Sequence, residues 1–156
     1  MSKVCVIGVG NTLMGDDGVG VRVAEVLASR DLGPDIEVVS GGTAGMALSH
    51  YFTSTDRVLV VDAIAAGDVP GSVFRFRPED AGILELRSHT SHGISLPSIM
   101  LAASLQGTCP EVVVYAVQIG DITCGFDTLT PEVEAVVAEV ADMVAEEAAR
   151  LVAELG

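Results

Sequence analysis

Asp16, Asp17, Asp62 and His92 are the side chains in this sequence whose types and setting could do chemistry. Asp16 and Asp17 stand side by side in a glycine-rich turn. Asp62 follows an unbroken apolar run, and His92 shares a polar stretch with His89 ahead of a helix. One carboxylate of the first pair, the carboxylate of Asp62 and an imidazole form a mixed oxygen and nitrogen set. Such a set suits a divalent first-row metal and leaves coordination positions open. Rival catalytic patterns are missing: the sequence has no Gly-x-Ser-x-Gly elbow and no His-Glu-x-x-His helix. Each candidate also has an ordinary reading. Asp16 suits the positive end of a helix dipole as a cap, Asp62 can cap the turn after its strand, and His92 can be a surface residue.

The elements that must position these groups alternate between strand and helix. Val4 to Val9 is a continuous apolar run bounded by glycine, the pattern of a strand covered on both faces. The turn with Asp16 and Asp17 follows, then a helix from about Gly18 to Arg30 with Val19, Val23, Val26 and Leu27 on its apolar stripe. Ile36 to Val39 reads as a second strand. Ser40-Gly41-Gly42-Thr43 then leads, through a threonine cap, into a short helix ending near Phe52. The glycine pair serves a turn or lets a ligand approach the backbone. Val58 to Val61 is a third, central strand that ends at Asp62. Val73 to Arg77 alternates phenylalanine with arginine, as in an antiparallel strand near an edge. A helix over 95–106, a strand over 112–119 and a long amphipathic helix from Pro131 to the end complete the series. Glu134, Glu139, Glu146 and Glu147 are its expected solvated side. The order implies a three-layer α/β/α domain with a mostly parallel twisted sheet of about five strands, one edge strand antiparallel. At the carboxyl ends of such strands ligands bind.

Composition narrows the function. The chain has 156 residues and a formal net charge of −14. That surface repels nucleic acid and anionic membranes, and no apolar run approaches the ~18 residues of a membrane span. Without a secretory leader pattern, a cytoplasmic protein is expected. Cys5, Cys109 and Cys124 are scattered, suggesting neither a disulfide framework nor a thiolate metal site. Cys5 reads as a core residue. Gly8-x-Gly10 begins a dinucleotide fingerprint, but Leu13 occupies its third glycine position, and paired aspartates at a helix entrance repel a pyrophosphate.

Taken together, four segments resemble a known family. Gly8-Val9-Gly10-Asn11 through Gly15-Asp16-Asp17-Gly18-Val19-Gly20 is similar to the N-terminal signature of the hydrogenase maturation endopeptidases. Gly41-Gly42-Thr43-Ala44-Gly45-Met46, Val61-Asp62-Ala63 and His92-Gly93 resemble their next three motifs, in order. The resemblance spans the chain, so residues 1–156 read as a single maturation protease domain. It implies a cytoplasmic protease that removes the C-terminal peptide from the precursor of the [NiFe] hydrogenase large subunit after nickel insertion; a monomer is expected. The implied metal-contacting and catalytic positions are Asp17, Asp62 and His92. The nickel is presented by the substrate precursor, and no tightly bound intrinsic cofactor is expected. Asp16, Ser40, Gly41, Gly42 and Thr43 are the implied substrate-binding positions. Two departures stand out: Asp17 replaces a glutamate common in relatives, and Ser40 replaces an aspartate. The alternatives are a self-sufficient metallopeptidase with its own zinc and a non-enzymatic nickel-binding maturation chaperone.

Overall fold

A computed structural model describes residues 3–78, 96–108, 110–120 and 128–156. Five strands form one sheet: β1 (Val4–Val9), β2 (Ile36–Gly42), β3 (Arg57–Ile64), β4 (Val73–Phe76) and β5 (Glu111–Gln118). Their spatial order is β2-β1-β3-β5-β4. The contacts β1–β2, β1–β3 and β3–β5 are parallel, while β4 lies antiparallel on β5 at the edge. The helices are α1 (Val19–Ala28), α2 (Ser49–Ser54), α3 (Leu96–Leu105), α4 (Pro131–Glu134) and α5 (Val137–Leu155). Single 3-10 turns cover Gly15–Gly18 and Gly45–Leu48.

Strand alternation divides the core into the two sides of a three-layer domain. Val4, Val6, Leu59, Val61, Val113 and Val117 face α1 and α5, where Val19, Val23, Leu27, Val140, Val144 and Leu151 meet them. Cys5, Ile7, Val58, Val60, Val112 and Val114 face the opposite way, onto Leu48, Phe52 of α2 and Ala103 of α3. Each fully buried valine or leucine contributes roughly 1.5–3 kcal/mol of apolar burial. Cys5 is one of these core residues, and burial, helped by nearby Glu37, pushes its thiol up to about 12.

Several boundaries differ from the sequence expectations. β2 continues through Ser40-Gly41-Gly42, because β1 offers hydrogen-bonding partners that far, with Gly8 opposite Ser40 and Val9 opposite Gly42. Thr43 is not a helix cap: the 3-10 turn at Gly45–Leu48 intervenes, and α2 starts only at Ser49, with Leu48 at its cap position. Asp62 lies within β3 rather than after it, since the pairing with β5 runs on from Asp62 opposite Ala116 to Ile64 opposite Gln118. The C-terminal helix is interrupted between Glu134 and Val137. Glu147 is not solvated: it is 5% exposed, and both its oxygens are engaged by Arg75 of β4. His89, His92, Cys109 and Cys124 lie outside the described residues.

Candidate active site

The carboxyl ends of the parallel strands share one rim of the sheet, and the glycine-rich turn crosses it. Gly8 pairs with Val61, so Asp62 continues β3 one position beyond the last β1–β3 pair. The 3-10 turn carrying Asp16 and Asp17 packs against β3. Two glycines allow this close approach. A Cβ at Gly10, whose φ is 138°, would stand 2.0 Å from the Asp17 carbonyl oxygen. A Cβ at Gly20 would stand 2.2 Å from the Val61 carbonyl oxygen, so only glycine lets the start of α1 sit directly on β3. The neighbouring strand joins the same rim: the Gly10 amide donates to the Gly42 carbonyl at 3.0 Å.

Asp17 is 3% exposed and its Oδ2 accepts the Asn11 amide at 3.0 Å. Asn11 is itself fixed, with its Oδ1 accepting the Leu13 amide at 2.9 Å and its carbonyl accepting the Met14 amide at 3.0 Å. Asp62 is 1% exposed and its Oδ1 accepts the Ala63 amide at 2.7 Å. By strand alternation Asp62 belongs to the face that carries Val60 and Ile64, the side on which α2 and α3 pack. Two acids buried at one rim demand compensation, because removing a carboxylate from water is costly. The Asn11 and Ala63 amides supply part of it. Among the described residues, no set of three His, Cys, Asp or Glu groups could hold a metal ion; His92 lies outside them.

Asp16 behaves differently from its neighbour. It is completely buried, and both its oxygens are bonded to distant parts of the scaffold: Oδ1 accepts the Thr130 amide at 2.7 Å, while Oδ2 accepts the Gly120 amide at 2.7 Å and the Thr130 hydroxyl at 2.8 Å. It does not cap α1, whose cap position is Gly18 with no side-chain bond. Thr130 occupies the cap position of α4 ahead of Pro131, as its pattern suggests, yet its hydroxyl turns to Asp16 instead of the helix. Gln118, buried at the end of β5, holds the next stretch of rim by accepting the Ala66 amide at 2.9 Å.

The family model described as hydrogenase maturation protease matches residues 21–147 of the 156-residue chain. The hydrogenase 2 maturation protease of Escherichia coli (strain K12) is 32% identical over 137 residues, which cover 86% of this chain and 84% of that protein. The chain belongs to the hydrogenase maturation protease family. The solved structure of the hydrogenase maturating endopeptidase HybD from E. coli superposes with a TM-score of 0.81 at 31% identity, over 92% of this chain and 90% of that one. A [NiFe] hydrogenase maturation protease, HycI from Thermococcus kodakarensis KOD1, gives a TM-score of 0.77 at 25% identity, over 93% and 91% of the two chains. This maturation protease is therefore a peptidase built on the mostly parallel five-stranded sheet of its relatives. No helix among its described residues is long and apolar enough to cross a membrane.

What sequence reasoning missed in this protease is the partnership of Asp16 with Gly120 and Thr130. Those partners lie 104 and 114 positions away. A single sequence carries no local signal for such a contact; the only hint is a second acid in a turn that needs one.

Proposed function

We propose that this maturation protease removes the C-terminal peptide from the precursor of a [NiFe] hydrogenase large subunit, and that it reads the nickel which the precursor already carries. The observation that supports this reading most is the burial of two carboxylates, Asp17 and Asp62, at the carboxyl rim of one sheet in a chain of this family. Asp17, Asp62 and His92 are the groups assigned to meet the substrate's nickel. The helix α3 begins at Leu96, shortly after His92 in sequence, and packs on the same face to which Asp62 belongs. Ser40, Gly41, Gly42 and Thr43 are assigned to the peptide groove; Asp16, expected with them, is completely buried with both oxygens bonded to Gly120 and Thr130, and is not assigned to it. Gly42 suits that role, with a φ of 52° and open space where a side chain would stand. The protease acts as a monomer in the cytoplasm and keeps no metal of its own.

In this scheme docking brings the precursor's nickel to the acidic rim, and the scissile bond is placed with it. The metal polarises the carbonyl or activates water, or a rim carboxylate takes the proton from the attacking water. The dependence on the substrate's metal makes cleavage a checkpoint on nickel insertion.

The deciding experiment incubates the purified protease with cognate precursor, with and without nickel, and reads chain length by mass spectrometry. Cleavage of the nickel-loaded form alone is expected. Asp17→Asn and Asp62→Asn should each slow it on the order of a hundredfold or more. Equal cleavage of nickel-free precursor would remove nickel recognition from the reading. A stoichiometric metal retained by the free protease would favour a self-sufficient metallopeptidase.

A further inference from the structure

Asp16 gathers donors from two segments that are far from it in sequence, Gly120 at the end of β5 and Thr130 at the entrance of α4. We propose that Asp16 and Thr130 form a clasp that positions the neighbouring carboxylate of Asp17, an inference that rests on the nickel-facing reading of Asp17 given above. Asp16 and Asp17 share one turn, Gly15–Gly18. One side of that turn is held by the Asn11 amide on Asp17 and by the Asp17 carbonyl against Gly10, where there is no space for a side chain. The other side is held by the three bonds to Asp16. Ties on both sides restrain the turn and, with it, the Asp17 carboxylate. Losing the Asp16 bonds removes the tie to the Gly120 and Thr130 segments, while the Asn11 amide on Asp17 and the Asp17 amide on the Met14 carbonyl at 3.2 Å remain.

The chemistry of the clasp demands a carboxylate. Each Asp16 oxygen faces a backbone amide, Thr130 on Oδ1 and Gly120 on Oδ2, and amides only donate. An asparagine in either flip would turn its NH2 group onto one of them. The fit is equally specific at Gly120, where an added Cβ would stand 3.0 Å from the Thr130 hydroxyl oxygen and 3.1 Å from Asp16 Oδ2. The bond lengths of 2.7–2.8 Å are those of charge-assisted hydrogen bonds. A displacement of about 1 Å in a reacting group can cost roughly a hundredfold in rate, so a partial release should be readable in turnover.

The test removes the hydroxyl donor alone. Thr130→Val keeps the side-chain shape, and Thr130→Ser keeps the hydroxyl. On nickel-loaded precursor, Thr130→Val should lower kcat about tenfold with KM within about twofold, and Thr130→Ser should restore kcat to within about twofold of the parent. In the free protein, amide exchange at Asn11 should rise about tenfold in Thr130→Val but not in Thr130→Ser, while Val6 and Ile7 in the core stay protected. Parental kcat and unchanged Asn11 exchange in Thr130→Val would overturn the clasp, as would equal losses in the two variants. If Thr130→Val does not fold by circular dichroism, Thr130→Ala takes its place with the same expectations. Should the parent fail to cleave, or Asp17→Asn cleave normally, the reading of Asp17 falls, and the exchange measurement still decides whether the clasp holds its turn.

Discussion

Asp16 and Glu147 are both acids that the fold hides, and the donors described around them differ in kind. The donors described around Asp16 are uncharged, two backbone amides and a hydroxyl. Glu147, on α5, lies against charge. Arg75 of the edge strand β4 donates from Nε at 2.8 Å and from Nη2 at 2.6 Å, the Tyr115 hydroxyl donates to Oε1, and Arg150 stands 3.5 Å away. Arg75 and Tyr115 are themselves cross-strand partners, so the network locks the β4–β5 edge under α5. Neutral donors fix a carboxylate in place without cancelling its charge, whereas a guanidinium does both. The acid beside the candidate site is tied by these bonds to the Gly120 and Thr130 segments. The acid remote from it is neutralised and serves the sheet edge.

Removing the charge from each acid should break this comparison most sharply. Asp16→Asn turns a donor onto a buried amide and should cost about 2–3 kcal/mol in denaturant unfolding, together with most of the processing activity. Glu147→Gln should cost about 1 kcal/mol, because half-exposed Arg75 regains water, and should leave processing unchanged. Loss of activity in Glu147→Gln at full occupancy of the folded state would show that the edge network reaches the site.

Acid titration sharpens the same contrast. Burial alone would raise the Glu147 carboxyl; hydrogen bonds from Arg75 and Tyr115, with the charges of Arg75 and Arg150, outweigh it and hold the group below its ordinary value of 4.5. Its contribution is whole above pH 4.5 and is lost as pH falls through the lower folded value. The stability gap between parent and Glu147→Gln should therefore narrow below pH 4.5. At the alkaline end Tyr115 is pushed up to about 12, first by burial and then by its bond to Glu147. That contribution is whole below pH 10 and lost as pH rises towards 12. Thermal midpoints of the two proteins across both limbs check both signs.

These two acids also show what the sequence makes legible. The strands are readable because parallel strands covered on both faces are continuous apolar runs, as in Val4 to Val9 and Val58 to Val61. The end of β3 is not, because the pairing with β5 carries a polar residue, Asp62, into the ladder. The glycine pair does serve a turn at the end of β2: Gly41 is skipped at the register shift, Gly42 has a φ of 52°, and the Ala44 amide donates to the Gly41 carbonyl at 3.0 Å. Glu147 was in fact signalled. It lies three positions after Val144 and four before Leu151, on the buried stripe of α5, and only its charge suggested solvent. The rim acids Asp17 and Asp62 were visible as strand-end carboxylates. The partners of Asp16 were not, since tertiary contacts across more than a hundred positions leave no local periodicity.

The smallest expected effect tests whether Arg150 belongs to the Glu147 network or only borders it. Its side chain is 56% exposed and divides its reach, with Nη2 3.5 Å from Glu147 and Nη1 3.4 Å from Glu154. Glu147 already has both oxygens occupied by the shorter bonds from Arg75. An exposed cation added to a satisfied carboxylate gains little Coulomb energy and gives up side-chain freedom to do so. Arg150→Ala should therefore change unfolding stability by less than about 0.5 kcal/mol, and that change should vanish in moderate salt. A loss as large as that of Glu147→Gln, insensitive to salt, would instead make Arg150 a full member of the network and the edge lock a three-residue device.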